Sequence, residues 1–141
     1  MKSHIHLATN TSIALVAQPF VDVNLVNSII FIMWGGLLID VDHPLLFALK
    51  YKIFDPRGWM ELARSLYEKQ QAELYIFHSP EIHLVLAVLS FIYPFFFLVL
   101  ASSWVHIVLD MIGHYRYHRN FQFLKDWSII YFIWNLEKTT R

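Results

Sequence analysis

Cysteine is absent from the 141-residue chain, which removes disulfides, thiolate metal sites and cysteine nucleophiles together. Charge is also scarce: acids and bases make up 16% of the residues, against about 25% in ordinary soluble domains. The eleven bases and eleven acids cancel, so there is no basic footprint for nucleic acid. What fills the chain instead is apolar: 57% of residues are hydrophobic and 17% aromatic, a membrane composition on a length that suits one domain. With no thiols, the eight histidines and the aspartates are the remaining metal-binding chemistry.

The hydrophobic residues fall into four segments that come as two pairs. The first pair covers residues 6–18 and 23–40, divided at "QPFVDVN", where Pro19, Asp22 and Asn24 mark a turn; the second covers 80–93 and 95–113, divided at Tyr93 and Pro94. At 1.5 Å per residue they reach roughly 20 Å for the first member of each pair and about 27 Å for the second, against about 30 Å of hydrocarbon. Four short membrane helices in two helical hairpins, over 6–43 and 78–113, are therefore expected. Between them, residues 57–74 place Trp59, Leu62, Leu66 and Leu74 near one face, the pattern of an amphipathic interfacial helix. In the tail, 114–141, "WSIIYFIWNL" is too short to span and reads as a short apolar helix at the interface or docked on the bundle. The expected fold class is an all-α membrane protein in a single domain.

Charge placement orients it. All eleven lysines and arginines lie in the N-terminal tip, the central segment or the tail, and none in the two hairpin turns. The positive-inside rule then puts both termini and the central segment on the cytoplasmic side of a multi-pass protein of the cytoplasmic membrane. The start lacks a small-residue cleavage pattern, so the N-terminus is expected to be retained.

Within this greasy chain, "LLIDVDHPLLF" carries Asp40, Asp42 and His43 at the end of a long apolar segment. An unpaired carboxylate there costs several kcal/mol or more, so a compensating charge is required. The topology supplies one arrangement: His6 opens the first helix and Asp40, Asp42 and His43 close the second, while His78 and His83 open the third and His106 and Asp110 close the fourth. Each half starts with histidine and ends with aspartate and histidine, a weak internal repeat whose two half-sites meet at the cytoplasmic end. His106 and Asp110 stand at i and i+4 on one helix face, and Asp40 and His43 at i and i+3. Pro44 biases His43 out of the helical region, so an unwound last turn is expected to bring Asp42 inward. In "HSPEIH", Ser79 is a cap, Pro80 a first-position proline and Glu81 a first-turn acid.

The proposed ligand set is His6, Asp40, Asp42, His78, His83, His106 and Asp110, with His43 a ligand or a group behind the ligands. That is more nitrogen and oxygen than one tetrahedral ion needs. It suits one or two divalent ions, and two would be joined by a carboxylate across about 3.5–4 Å. Imidazole with carboxylate suits zinc, with manganese or iron as alternatives. Other residues have ordinary readings: His4, His114 and His118 as interfacial groups, Trp34 and Trp104 as part of an aromatic belt.

These motifs resemble the LexA-regulated, membrane-bound metal-dependent hydrolases, small inner-membrane proteins of bacteria with relatives in archaea. The resemblance is carried by the early histidine of "HLATNTS", by "LLIDVDHP" against a D-x-D-H-P element, by the two histidines of "HSPEIH", and by "HIVLD" against H-x-x-x-D, spread over most of residues 6–113. Ser79, Pro80, Ile82 and Leu84 stand where that family's H-R-G-x-T-H-S element has arginine, glycine, threonine and serine. The resemblance implies a hydrolase. The expected activity is hydrolysis of a lipid-like ester or phosphodiester through a metal-activated water, with Asp42 or Asp40 bridging ions or accepting the proton. Membrane lipid is the expected surroundings. The same ligands would also serve a divalent-metal transporter or sensor, or a metal that only staples the two hairpins together.

Overall fold

The computed structural model describes residues 3–17, 24–70, 73–121, 124 and 127–139. The expected turn at Pro19 and Asp22 lies outside them. Every regular element among the described residues is helical. The α-helices are α1 (Ser3–Ala17), α2 (Leu25–Gly36), α3 (Asp42–Tyr51), α4 (Pro56–Lys69), α5 (Pro80–Ile92), α6 (Pro94–His118) and α7 (Ile129–Thr139), with short 3-10 turns at Leu38–Val41 and Ile76–His78.

Proline starts these helices rather than breaking them. Pro56, Pro80 and Pro94 open α4, α5 and α6, and Pro44 sits in the first turn of α3, where no intrahelical N–H is lost. Side-chain caps add to the signal: Asn24 accepts from Asn27 N–H, Asp55 from Gly58 N–H and Ser79 from Ile82 N–H. Two expectations change. The amphipathic helix expected over 57–74 ends at Lys69, where Gln70 adopts a left-handed backbone, so Leu74 lies beyond it. Asp42 does not sit in an unwound last turn: the chain bends by 45° after α2 and starts α3 at Asp42, because proline two residues on is compatible with a first turn.

By length and composition, one helix, Phe95–His118, is apolar and long enough to cross a membrane, and α2 with the bent continuation to Tyr51 forms a second candidate. Helices α1 and α5 are apolar but shorter. At 1.5 Å per residue α6 reaches roughly 37 Å. Helix α2 packs against α1 and α6, and α6 also packs against α5.

The packing is inverted relative to a water-soluble bundle. Among the described residues, six apolar side chains are buried, against eleven polar or charged ones that include His6, Asn10, Ser102, Ser103, His106 and Asp110. Large apolar side chains point outward instead, Leu84, Phe91, Phe97 and Trp104 among them. Small and polar residues close the helix contacts, as in membrane bundles: Trp34 Nε1 donates to Ser103 Oγ across α2 and α6 at 2.8 Å, so this tryptophan holds helices together.

Gly35 is the tightest point. A Cβ there would lie 2.5 Å from the Ser102 carbonyl oxygen and 2.7 Å from Asn10 Oδ1, so α1, α2 and α6 meet only because this position has no side chain. Gly35→Ala is expected to destabilise the protein by about 1–3 kcal/mol, read as a lower unfolding midpoint in detergent; an unchanged midpoint would contradict this packing.

Candidate metal centre

Helix α6 presents Ser102, His106 and Asp110 along one face at four-residue intervals. That face lies against Gly35, whose carbonyl accepts from His106 Nδ1 at 2.7 Å. The bond holds a proton on Nδ1 and turns Nε2 inward. This is the usual device by which a protein aims a metal-ligating histidine.

His106 Nε2 lies 3.2 Å from Asp40 Oδ1 and 3.2 Å from Asp110 Oδ2, and His78 Nε2 lies 3.5 Å and 3.7 Å from the same two oxygens. These four residues come from the 3-10 turn after α2, the turn before α5, and α6. Each offers one ligand atom, all within 4.8 Å of one another. Neither ring nitrogen of His78 nor Nε2 of His106 makes a hydrogen bond among the described residues, although all are buried. The spacing explains this: hydrogen bonds of this type cluster near 2.9–3.0 Å, whereas ligands about 2.05 Å from a tetrahedral ion stand about 3.3–3.4 Å apart. The group can hold a metal ion, and the donors fit one.

His6 joins from α1. Its Nε2 is 3.1 Å from Asp110 Oδ1, and its ring stacks on His106 with centroids 3.8 Å apart. Asn10, fully buried, donates to the His6 carbonyl one turn earlier. A second group, Asp42, His43 and His78, adjoins the first and shares His78 with it. Asp42 Oδ1 accepts from His43 Nδ1 at 2.9 Å and Asp42 Oδ2 from Phe77 N–H at 2.9 Å. His83 belongs to neither group; its Nδ1 donates to the Ser79 carbonyl at 2.7 Å and its ring packs edge-on to Trp104. Thus six of the eight expected ligands fall in the two groups, His6 stands against the first, and His83 lies apart.

Four further residues, Tyr75, Glu73, Trp127 and Glu81, shape the centre and were not singled out for it by sequence. Tyr75 stacks flat on His43, with centroids 3.7 Å apart. Burial, followed by the carboxylates of Glu73 and Asp42, raises its phenol pKa, so it stays neutral. Its segment is pinned by Glu73, which accepts from Lys50 Nζ at 2.7 and 2.8 Å and from the Tyr51 hydroxyl. Trp127, buried, packs on His78 with centroids 5.7 Å apart and on His114 at 6.2 Å. Glu81 does more than favour its own helix dipole: its carboxylate accepts from Ser128 Oγ, Ile129 N–H and Ile130 N–H, capping α7 and fixing the segment that carries Trp127. Aromatic cover and an acid that caps another helix leave no local sequence signal.

Burial disfavours a charged His78 ring, yet the carboxylates of Asp110, Asp40 and Asp42 outweigh it and hold the pKa well above the ordinary histidine value.

No family model, curated protein or solved structure matches the chain.

Two outcomes are expected. Because His78 keeps its proton until a cation displaces it, Zn(II) uptake releases protons and tightens as pH rises; calorimetric titrations in two buffers of different ionisation enthalpy measure the release, and uptake without it would contradict the arrangement. Glu81→Ala removes the cap from α7 at a cost of about 0.5–2 kcal/mol, seen as faster hydrogen exchange at Ile129 and Ile130; unchanged exchange would contradict the capping role.

Proposed function

We propose that the chain is a membrane-embedded metal-dependent hydrolase that cleaves a lipid-like ester or phosphodiester through a metal-activated water. The observation that carries this is the convergence of Asp40, His78, His106 and Asp110 on one small volume. The mixture of imidazole and carboxylate donors favours zinc. Membrane placement is supported by the inverted packing, with polar residues inside and large apolar side chains outside, and by the long apolar α6. The charge distribution favours cytoplasmic termini and a centre near that interface. His106 and Asp110 lie roughly 18–24 Å along α6 from Pro94, which puts His106 at the middle of that helix and Asp110 one turn nearer its basic end. The motif resemblance to the LexA-regulated membrane hydrolases points to the same activity.

A divalent cation in this group supplies Lewis-acid polarisation and acidifies a water. The protein's own residues divide the remaining work. His106 is held in register by the Gly35 carbonyl, and Asp110 ties His6 to the group. The Asp40 side chain is 30% exposed, against 2% for His78 and none for His106, so substrate approaches from the Asp40 side. Both Asp42 oxygens are engaged by His43 and Phe77, which leaves Asp40 the better placed carboxylate to take a proton from the attacking water. Trp127, packed against His78, limits water at that ring.

The test is hydrolysis of a panel of phospholipids and lipid esters by the purified full chain in mixed micelles. His106→Ala and Asp110→Ala are expected to lower both retained metal and turnover by at least about 100-fold, beyond the 10–100-fold typical of losing a supporting residue. Absence of hydrolysis combined with divalent-metal flux in sealed vesicles would overturn the enzyme reading in favour of a transporter.

A further inference from the structure

His78 is 2% exposed and both of its ring nitrogens lack a hydrogen-bond partner among the described residues. A buried histidine that only ligates one ion ordinarily donates its other N–H to a carbonyl or carboxylate, as His106 does to Gly35. His78 does not. Its Nε2 faces Asp40 and Asp110, while Nδ1 faces Asp42 Oδ2 at 3.9 Å, a gap too long for a hydrogen bond and wide enough for an ion between the two atoms.

We infer that the centre takes two divalent cations, one on each ring nitrogen of His78, so that this imidazole and not a carboxylate links them. The inner ion is the one described under Proposed function, and the inference rests on that reading. The outer ion is held by His78 Nδ1, Asp42 and His43, whose ligand atoms lie within 4.8 Å of one another. His43 is kept in place by the flat stack on Tyr75, and its side chain is 26% exposed, which gives the outer ion a route from solvent. The 2.9 Å contact between His43 Nδ1 and Asp42 Oδ1 is a proton-held bond that the cation replaces, the imidazole proton moving to the outer nitrogen. It is also about the edge of a six-coordinate shell with ligands about 2.1 Å from the ion.

Charge balance favours the second ion. One dication against the carboxylates of Asp40, Asp42 and Asp110 leaves the three acids undercompensated. Two dications set four positive charges against those three carboxylates and the ring nitrogens between them. Such a balance matters most where the surroundings are apolar.

The experiment strips the full chain in detergent with a chelator, reloads it with Zn(II) alone and counts the metal retained after desalting; a parallel sample is loaded with Cu(II) for electron paramagnetic resonance. The wild type is expected to keep about two equivalents and His43→Ala about one, with circular dichroism showing that the variant stays helical. The two copper ions are expected to be magnetically coupled through the ring. One equivalent in the wild type, an unchanged count in His43→Ala, or two uncoupled copper signals would overturn the bridge. A single retained ion with hydrolysis intact leaves the reading under Proposed function standing, whereas no retained ion at all overturns both.

Discussion

Carboxylates set among apolar helices must be answered by positive charge, and this protein is organised around that constraint. Asp40, Asp42 and Asp110 are met by the imidazoles of His6, His43, His78 and His106, whose ring nitrogens can face the acids either as proton-bearing donors or, once a proton leaves, as lone pairs for a cation. The group can hold a shared cation, which would take up the lone pairs and the negative charge at once. The same constraint accounts for the inverted packing. Polar residues are drawn inward around the centre, and the helix surfaces left over are apolar.

Glycine and proline place the ligands. Gly35 allows α1, α2 and α6 to meet, and its carbonyl sets the tautomer of His106. One position thus governs both helix packing and the aim of a ligand. Immediately after Gly36 the chain bends, and the 3-10 turn that follows carries Asp40 to the edge of α6. Pro44 and Pro80 then start new helices beside the centre. Asp42 and His78 therefore sit at helix beginnings, on backbone that is free to turn its side chains toward a common point. Tyr75, Glu73, Trp127 and Glu81 enclose the result from three other stretches of chain.

Much of this was legible in the sequence because its signals are local. The start of α5 followed from Ser79 and Pro80, and the His106–Asp110 pair from four-residue spacing. The meeting of Asp40, Asp42, His43, His78, His106 and Asp110 followed from asking what could neutralise acids in apolar surroundings. Other features depend on contacts between distant segments and have no local pattern. Examples are the Gly35 carbonyl on His106, the Trp34 bond to Ser103, the Tyr75 stack and the Glu81 cap on α7. His83 shares its spacing with His78, yet the helical backbone gives its Nδ1 the Ser79 carbonyl and turns the ring toward Trp104. The break before Asp42 is hidden for a related reason: proline near a helix end has the same local pattern as proline near a helix start, and here it belongs to the start of α3.

The central claim is that these imidazoles and carboxylates surround a metal ion. X-ray absorption on the full chain, purified without added metal and measured before and after chelation, tests it most directly. The account predicts a transition-metal edge before chelation, with first-shell nitrogen and oxygen near about 2.0–2.2 Å and the outer-shell scattering of imidazole, both lost afterward. An absorption spectrum with no metal edge above background, from protein that is folded and helical, would contradict it.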